Sequence, residues 1–83
     1  MKKKITIAEA LALLPKTPEI DSFRIVKGVE RHLTVPRDLA IEHISEWGAE
    51  LETDATGKAL RLVVTDGFGS RFGPRFLCFY EVG

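Results

Sequence analysis

The 83-residue chain contains no asparagine and no glutamine. These are the side chains that read adenine through paired hydrogen bonds in the DNA major groove, and they often supply the amide donors of oxyanion holes. Both uses are therefore excluded, whereas arginine contacts to guanine are not. The absence narrows the ways in which this chain can recognise nucleic acid or catalyse acyl transfer.

Cysteine is nearly absent as well, because Cys78 is the only one. A single cysteine excludes an intramolecular disulfide and a cysteine-rich zinc site. The hydrophobic core must therefore stabilise the fold without cross-links. We expect a reducing, cytoplasmic compartment, since structural disulfides belong mainly to oxidising ones.

The chain also lacks a charge surplus and a long apolar run. Lys plus Arg and Asp plus Glu each number 12, so the formal net charge is zero, which excludes a polybasic nucleic-acid-binding protein. No segment approaches the ~18 apolar residues that span a bilayer. Glu9 interrupts the apolar segment that follows the first lysines, so we expect neither a cleaved signal peptide nor a membrane anchor.

A first helix is predicted from local signals. Thr6 and Glu9 have the spacing of a capping box in front of an apolar run. Pro15 follows that run and is unfavourable inside a helix. We therefore predict a helix over residues 7–14.

The second predicted helix spans residues 36–47. Pro36 suits a first helical turn and Gly48 suits a terminator, with Thr34 as the predicted cap. On a helical wheel the apolar side chains lie on one side of this helix and the acidic side chains on the other. The apolar side predicts contact with a core, and the acidic side predicts exposure to solvent.

Strands are predicted where β-branched and apolar residues cluster between turn signals. A hairpin over residues 22–27 and 29–35 is followed by strands over residues 49–53, 58–65 and 75–82. The last of these segments is apolar on both faces. That pattern is typical of a strand in the middle of a sheet.

Together these elements predict one α+β domain over residues 1–83, in the order α-β-β-α-β-β-β, with a mainly antiparallel sheet packed by two helices. Residues 1–5 include three consecutive lysines and are expected to form a flexible N-terminus. Residues 66–74 are rich in glycine and are expected to form a long loop.

Acidic residues are concentrated in one part of the chain. Between residues 38 and 54 there are six carboxylates and no lysine or arginine, so the rest of the chain carries a net positive charge. A solvated face is the plainest interpretation. Acids spaced four apart on a helix repel one another, however, and a surface that keeps this repulsion is typical of docking on a basic partner. The predicted partner-binding residues are Asp38, Glu42, Glu46, Glu50, Glu52 and Asp54.

A second segment, residues 66–76, combines arginine with phenylalanine and glycine. Phenylalanine rings stack on unpaired bases, and arginine contacts phosphates. The residues of this alternative nucleic-acid-binding site are Phe68, Arg71, Phe72 and Arg75, to which the N-terminal lysines would add a weak phosphate contact. The competing interpretation is a wide loop whose phenylalanines fold back onto the core.

No arrangement of residues predicts catalysis. His32 and His43 are the only histidines, and neither belongs to a metal-binding or hydrolase motif. Cys78 lies in an apolar strand, where a thiol is usually an inert part of the core. We therefore expect a non-enzymatic protein with no catalytic residue, no metal site and no cofactor.

Three functional hypotheses follow. The first is an interaction protein whose acidic helix and strand dock on a basic protein surface, for instance a phage or mobile-element inhibitor of the anti-CRISPR type that occludes a nucleic-acid-binding surface. The second is a small nucleic-acid-binding domain that uses residues 66–76. The third is a structural or assembly module that homodimerises, for which an unpaired strand edge is a common means.

Overall fold

Two helices pack against one face of a six-stranded antiparallel sheet in the computed structural model, which describes residues 1–26, 28–65 and 77–83. In chain order the elements are β1 (Lys2–Ile5), α1 (Ile7–Leu13), β2 (Glu19–Val26), β3 (Val29–Pro36), α2 (Arg37–Trp47), β4 (Ala49–Thr53), β5 (Ala59–Thr65) and β6 (Leu77–Glu81). The predicted α+β class, with an antiparallel sheet covered by two helices, is confirmed.

Helix α1 begins at the predicted capping box. The Glu9 N–H donates to Thr6 Oγ1 and the Thr6 N–H donates to Glu9 Oε1, each over 3.1 Å. These bonds satisfy main-chain donors that the start of a helix otherwise leaves without partners. The helix ends at Leu13, one residue before the predicted end, and its Ala10 is fully buried.

Helix α2 follows β3 directly and has no side-chain cap. Pro36 is the N-cap residue, so the prediction of Thr34 as the cap is wrong. The strand β3 continues through Pro36 and keeps Thr34 within it, while the Arg37 N–H donates to Pro18 O over 2.8 Å. Gly48 ends the helix as predicted, with a φ of 75° that favours glycine.

The strands lie in the order β1-β4-β5-β6-β2-β3, and each strand is antiparallel to its neighbours. β6 is therefore an interior strand, between β5 and β2, as its apolar pattern predicted. The predicted hairpin is also present, because β2 and β3 pair from Glu19↔Pro36 to Val26↔Val29. β1 and β3 form the two edges of the sheet.

The prediction of a flexible terminus over residues 1–5 is wrong, because β1 pairs with β4 along that segment. Lys2 lies opposite Glu52, and Lys4 lies opposite Glu50. Opposite charges in facing positions stabilise paired strands. A lysine-rich terminus thus forms an edge strand because its neighbour carries carboxylates at the matching positions.

The core lies between the helices and the face of the sheet that they cover. Side chains alternate along a strand, so β6 directs Cys78 and Tyr80 towards the helices, and β5 directs Leu62 and Val64 there. All four are 1% exposed or less. We call the opposite side of the sheet the second face. Its side chains include those of Lys2, Lys4, Glu50, Glu52, Arg61, Phe79, Phe23 and His32.

A charge reversal in β1 tests the pairing that holds this strand in place. The substitution Lys4→Glu puts a carboxylate opposite Glu50, and we expect the free energy of unfolding to fall by about 0.2–1 kcal/mol in urea denaturation. Adding Glu50→Lys to the same chain restores the opposite charges, so the double variant should recover most of the loss.

Lys3 provides the matched control for this experiment. It lies opposite Leu51 on the other face of the sheet, so Lys3→Glu changes the net charge equally but creates no facing pair of acids. Equal losses for Lys3→Glu and Lys4→Glu, with no recovery in the double variant, would contradict the pairing.

Candidate functional site

Three of the six predicted partner-binding residues form a row along the exposed side of α2. We call Asp38, Glu42 and Glu46 the acidic row. All three side chains are exposed, whereas Ala40 and Ile44 on the opposite side of the helix are fully buried. The core therefore fixes the orientation of α2 and keeps the acidic row directed to solvent.

Among the described residues, no carboxylate of the acidic row takes part in an ion pair. The ion pairs there join His32 to Asp21 and Arg61 to Glu52. Carboxylates at four-residue spacing on one helix repel one another weakly. The row thus presents a negative field to any molecule that approaches α2.

Glu50 and Glu52 do not lie with the acidic row. Both point to the second face of the sheet, where Lys4 and Lys2 face them from β1. The Arg61 Nε–H donates to Glu52 Oε2 over 2.6 Å, and this hydrogen bond is the main reason that the pKa of Glu52 is lowered. Glu52 is therefore paired with a cation of the same sheet, and Glu50 lies opposite one.

Asp54 has a structural role in the turn between β4 and β5. Its Oδ1 accepts hydrogen bonds from the Thr56 N–H over 2.8 Å and from the Lys58 N–H over 3.0 Å. Together with a bond from the Thr56 hydroxyl, which contributes most, these bonds lower the pKa of Asp54. The six predicted acids therefore do not form a single surface. The three on α2 are exposed to solvent, and no ion pair joins them to another described residue.

The alternative nucleic-acid site falls outside the described residues. Phe68, Arg71, Phe72 and Arg75 all belong to residues 66–76, so the nucleic-acid-binding hypothesis stays a prediction. The N-terminal lysines that it also invoked lie in β1, where two of them face carboxylates of β4.

A cleft of about 330 Å³ adjoins the acidic row, and we call it the α2 cleft. Two members of the row contribute to it, together with residues from the helix and from two central strands. Its lining residues are Arg24, Leu39, Glu42, His43, Glu46 and Tyr80. The cleft therefore brings carboxylates, an apolar side chain and a guanidinium group together at one edge of the row.

His43 and Tyr80 form the polar wall of the α2 cleft. His43 Nδ1 and Tyr80 Oη are 2.7 Å apart and hydrogen-bonded, and the two rings meet edge to face at 5.8 Å between centroids. Burial raises the pKa of Tyr80, so its phenol stays protonated at neutral pH. Sequence analysis missed this pair, since only the folded sheet brings residues so distant in the chain together.

A smaller polar contact lies beneath the cleft. Ser22 Oγ and Cys78 Sγ are 3.2 Å apart, and both residues are fully buried. The thiol therefore has no surface that a substrate can reach in this conformation, as expected for a cysteine in the core. The reactive groups of this region serve hydrogen bonds inside the protein.

Within residues 1–26, 28–65 and 77–83, no cluster of three or more His, Cys, Asp or Glu side chains has a geometry suited to a metal ion. Neither described helix has the length and hydropathy needed to cross a membrane. Comparisons of the whole chain with protein-family models, curated proteins and solved structures find no match. The site must therefore be interpreted from its own geometry.

Alkaline titration tests the burial of the cleft wall directly, because Tyr80 is the only tyrosine. The pKa of Tyr80 is raised in the folded protein. In an unfolded chain the pKa of tyrosine is about 10. The protonated phenol therefore stabilises the folded state. This stabilisation is fully present below the pKa of the unfolded state and is lost as the pH rises through the pKa of the folded state. We expect phenolate absorbance to appear at higher pH in the native protein than in urea, and to coincide with alkaline unfolding.

The variant His43→Ala provides the comparison for that titration. It removes the hydrogen-bond partner and opens the cleft wall, so ionisation of Tyr80 should move towards lower pH. Native and denatured protein that titrate together would contradict the burial of this phenol.

Proposed function

We propose that this protein is a non-enzymatic interaction protein that docks the acidic row of α2 on a basic surface of a partner protein. The observation that carries the proposal is the division of the acidic segment. Glu52 and Asp54 accept hydrogen bonds within the fold, and Glu50 lies opposite Lys4 in the sheet. The acidic row, in contrast, is exposed on a helix anchored by its buried side.

The rigidity of α2 favours recognition over simple solvation. Residues four apart rise about 6 Å along a helix, so the acidic row is a regular series of charges on a fixed support. Complementary charge accelerates encounter with a basic partner and disfavours acidic ones. No loop has to be ordered to present these groups, which reduces the entropic cost of binding.

The α2 cleft supplies a contact that charge alone does not. Leu39 is 45% exposed at its edge, and Glu42 and Glu46 lie beside it. A lysine or arginine of the partner can pack its methylene groups on Leu39 while its charged end meets these carboxylates. Anchors of this kind in a pocket usually contribute most of the affinity of an interface.

A narrower form of the proposal concerns the partner. Regularly spaced carboxylates on a helix resemble the charge pattern of a nucleic-acid backbone, so a protein that handles nucleic acid is a fitting basic partner. The prediction of a cytoplasmic inhibitor of the anti-CRISPR type, from a phage or mobile element, belongs to this form. It stays a prediction.

Charge reversal of the acidic row tests the proposed function. The double variant Glu42→Lys/Glu46→Lys should abolish retention of the partner when the immobilised protein is exposed to nuclease-treated lysate of its native host. Binding is lost because two attractive contacts become repulsive, while both side chains are exposed and the fold stays intact by circular dichroism.

Glu30 provides a matched control, since it is also exposed but lies on the second face of the sheet, opposite Ile25 and away from α2. The variants Glu30→Lys and Glu42→Lys change the net charge equally, and only the second should weaken retention. If both variants retain the partner as well as the wild type does, the proposal fails. If the retained molecules disappear after nuclease treatment, nucleic-acid binding replaces it.

A further inference from the structure

In the described part of the chain, no strand pairs with the outer edge of β3. This strand spans the eight residues Val29–Pro36, and β2 is its only neighbour in the described part of the sheet. Strands in globular proteins commonly have about five to six residues, and long exposed edges are templates for another strand. The side chains of β3 are exposed at every position except Val35.

The register of the hairpin determines which main-chain groups of β3 point away from β2. Val26 pairs with Val29 across a two-residue connection, and the pair that closes such a connection exchanges hydrogen bonds. Bonded and non-bonded pairs then alternate along the hairpin. The N–H and C=O groups of Glu30, His32 and Thr34 therefore point outward.

Two observations support this assignment. Thr34 pairs with Asp21. The Asp21 N–H does not point to Thr34, because it donates to the Glu81 carboxylate over 3.3 Å on the β6 side of β2. Pro36 belongs to the same outward set as Thr34, and proline is tolerated in edge strands where the missing N–H would face solvent. Both observations agree that the main-chain groups of the even-numbered residues of β3 point away from β2.

We propose that two copies of this protein pair through β3 in antiparallel orientation, with His32 of each copy on a two-fold axis perpendicular to the sheet. His32 then lies opposite the second copy's His32, and Glu30 lies opposite the second copy's Thr34. Each such pair exchanges two main-chain hydrogen bonds, so all of the outward-facing residues that have an N–H gain partners. The two sheets become one continuous sheet, and each copy keeps its helices on the same side.

Neighbouring registers are less favourable. With Arg31 on the axis, the Arg31 side chains of the two copies face each other. Arg24 of β2 already lies opposite Arg31 within each copy, so four arginines would form one row. Like charges in facing positions destabilise a sheet. With Leu33 on the axis, Glu30 meets Pro36, which has no N–H to donate. Only the register centred on His32 avoids both penalties.

The same register covers exposed apolar side chains of β3. Val29 is 56% exposed and Leu33 is 40% exposed, and both lie on the helix-covered side of the sheet. In the dimer Val29 lies opposite the second copy's Val35, and Leu33 lies opposite the methylene groups of the second copy's Arg31. Burial of these side chains adds hydrophobic stabilisation to the main-chain bonds.

Sedimentation equilibrium from micromolar to near-millimolar concentration tests the proposal on the full chain. We expect a reversible dimer for the wild type. Thr34→Pro removes an outward N–H and should raise the dissociation constant by roughly tenfold or more. Thr34→Ala loses the same hydroxyl but keeps the N–H, so it should dimerise like the wild type.

His32 provides a second, independent variant. His32→Lys puts a permanent positive charge in place of the imidazole, which lies 3.4 Å from Asp21, and so places two like charges together on the axis. This variant should dimerise more weakly than the wild type, with an unchanged circular dichroism spectrum. It keeps the proposal testable even if Thr34→Pro fails to fold.

Cross-linking locates the axis. The Cα atoms of a hydrogen-bonded antiparallel pair are about 5.5 Å apart, within the range of a disulfide. His32→Cys should therefore give a covalent dimer on mild oxidation, whereas Glu30→Cys should not, because its facing residue is Thr34. Cys78 is fully buried and should not interfere.

A wild-type chain that stays monomeric at every concentration would overturn the proposal and leave the edge to other partners. A dissociation constant that is unchanged in both Thr34→Pro and His32→Lys would also overturn it, because the contact would then lie elsewhere. Efficient cross-linking of Glu30→Cys in place of His32→Cys would exclude the register centred on His32.

Discussion

The alternation of side chains along β4 is the constraint on which the rest of the site depends. Ala49 and Leu51 point to the core beneath the helices, so Glu50 and Glu52 must point to the second face. A shift of one residue would bury two carboxylates and expose two apolar side chains, which the cost of burying charge forbids. This geometry separates the acids of the strand from those of the helix.

The separation also explains how a neutral chain presents a negative surface. Lys2, Lys4 and Arg61 lie on the second face, in register with Glu52 and Glu50. These three cations are therefore directed away from the acidic row. The charges of the chain sum to zero, yet their distribution over the two sides of the sheet leaves the outer side of α2 negative.

Local signals were sufficient to predict the elements that depend on neighbouring residues. Three such predictions were confirmed: the capping box at Thr6, the end of α2 at Gly48 and the strand over residues 49–53. Each of them depends on signals within a few residues. The interior position of β6 was also predictable, since a strand that is apolar on both faces needs cover on both.

Features that depend on distant partners were not predictable. Lys2 and Lys4 lie in a strand whose neighbour β4 places Glu52 and Glu50 across from them, and a run of lysines carries no signal of that pairing by itself. The same holds for the contact of His43 with Tyr80, which follows from the path of α2 over the sheet. Sequence reasoning therefore found the acids of the candidate site but not the cleft beside them.

Within the acidic segment of residues 38–54, the acids of α2 are the ones exposed to solvent, and a basic partner should therefore bind there. The most direct test is a titration of the ¹⁵N-labelled protein with a short arginine-rich peptide, followed by amide chemical shifts. We expect saturable changes concentrated in α2, at and around Asp38, Glu42 and Glu46. Changes of equal size at Glu50 and Glu52, or changes confined to residues outside α2, would contradict it.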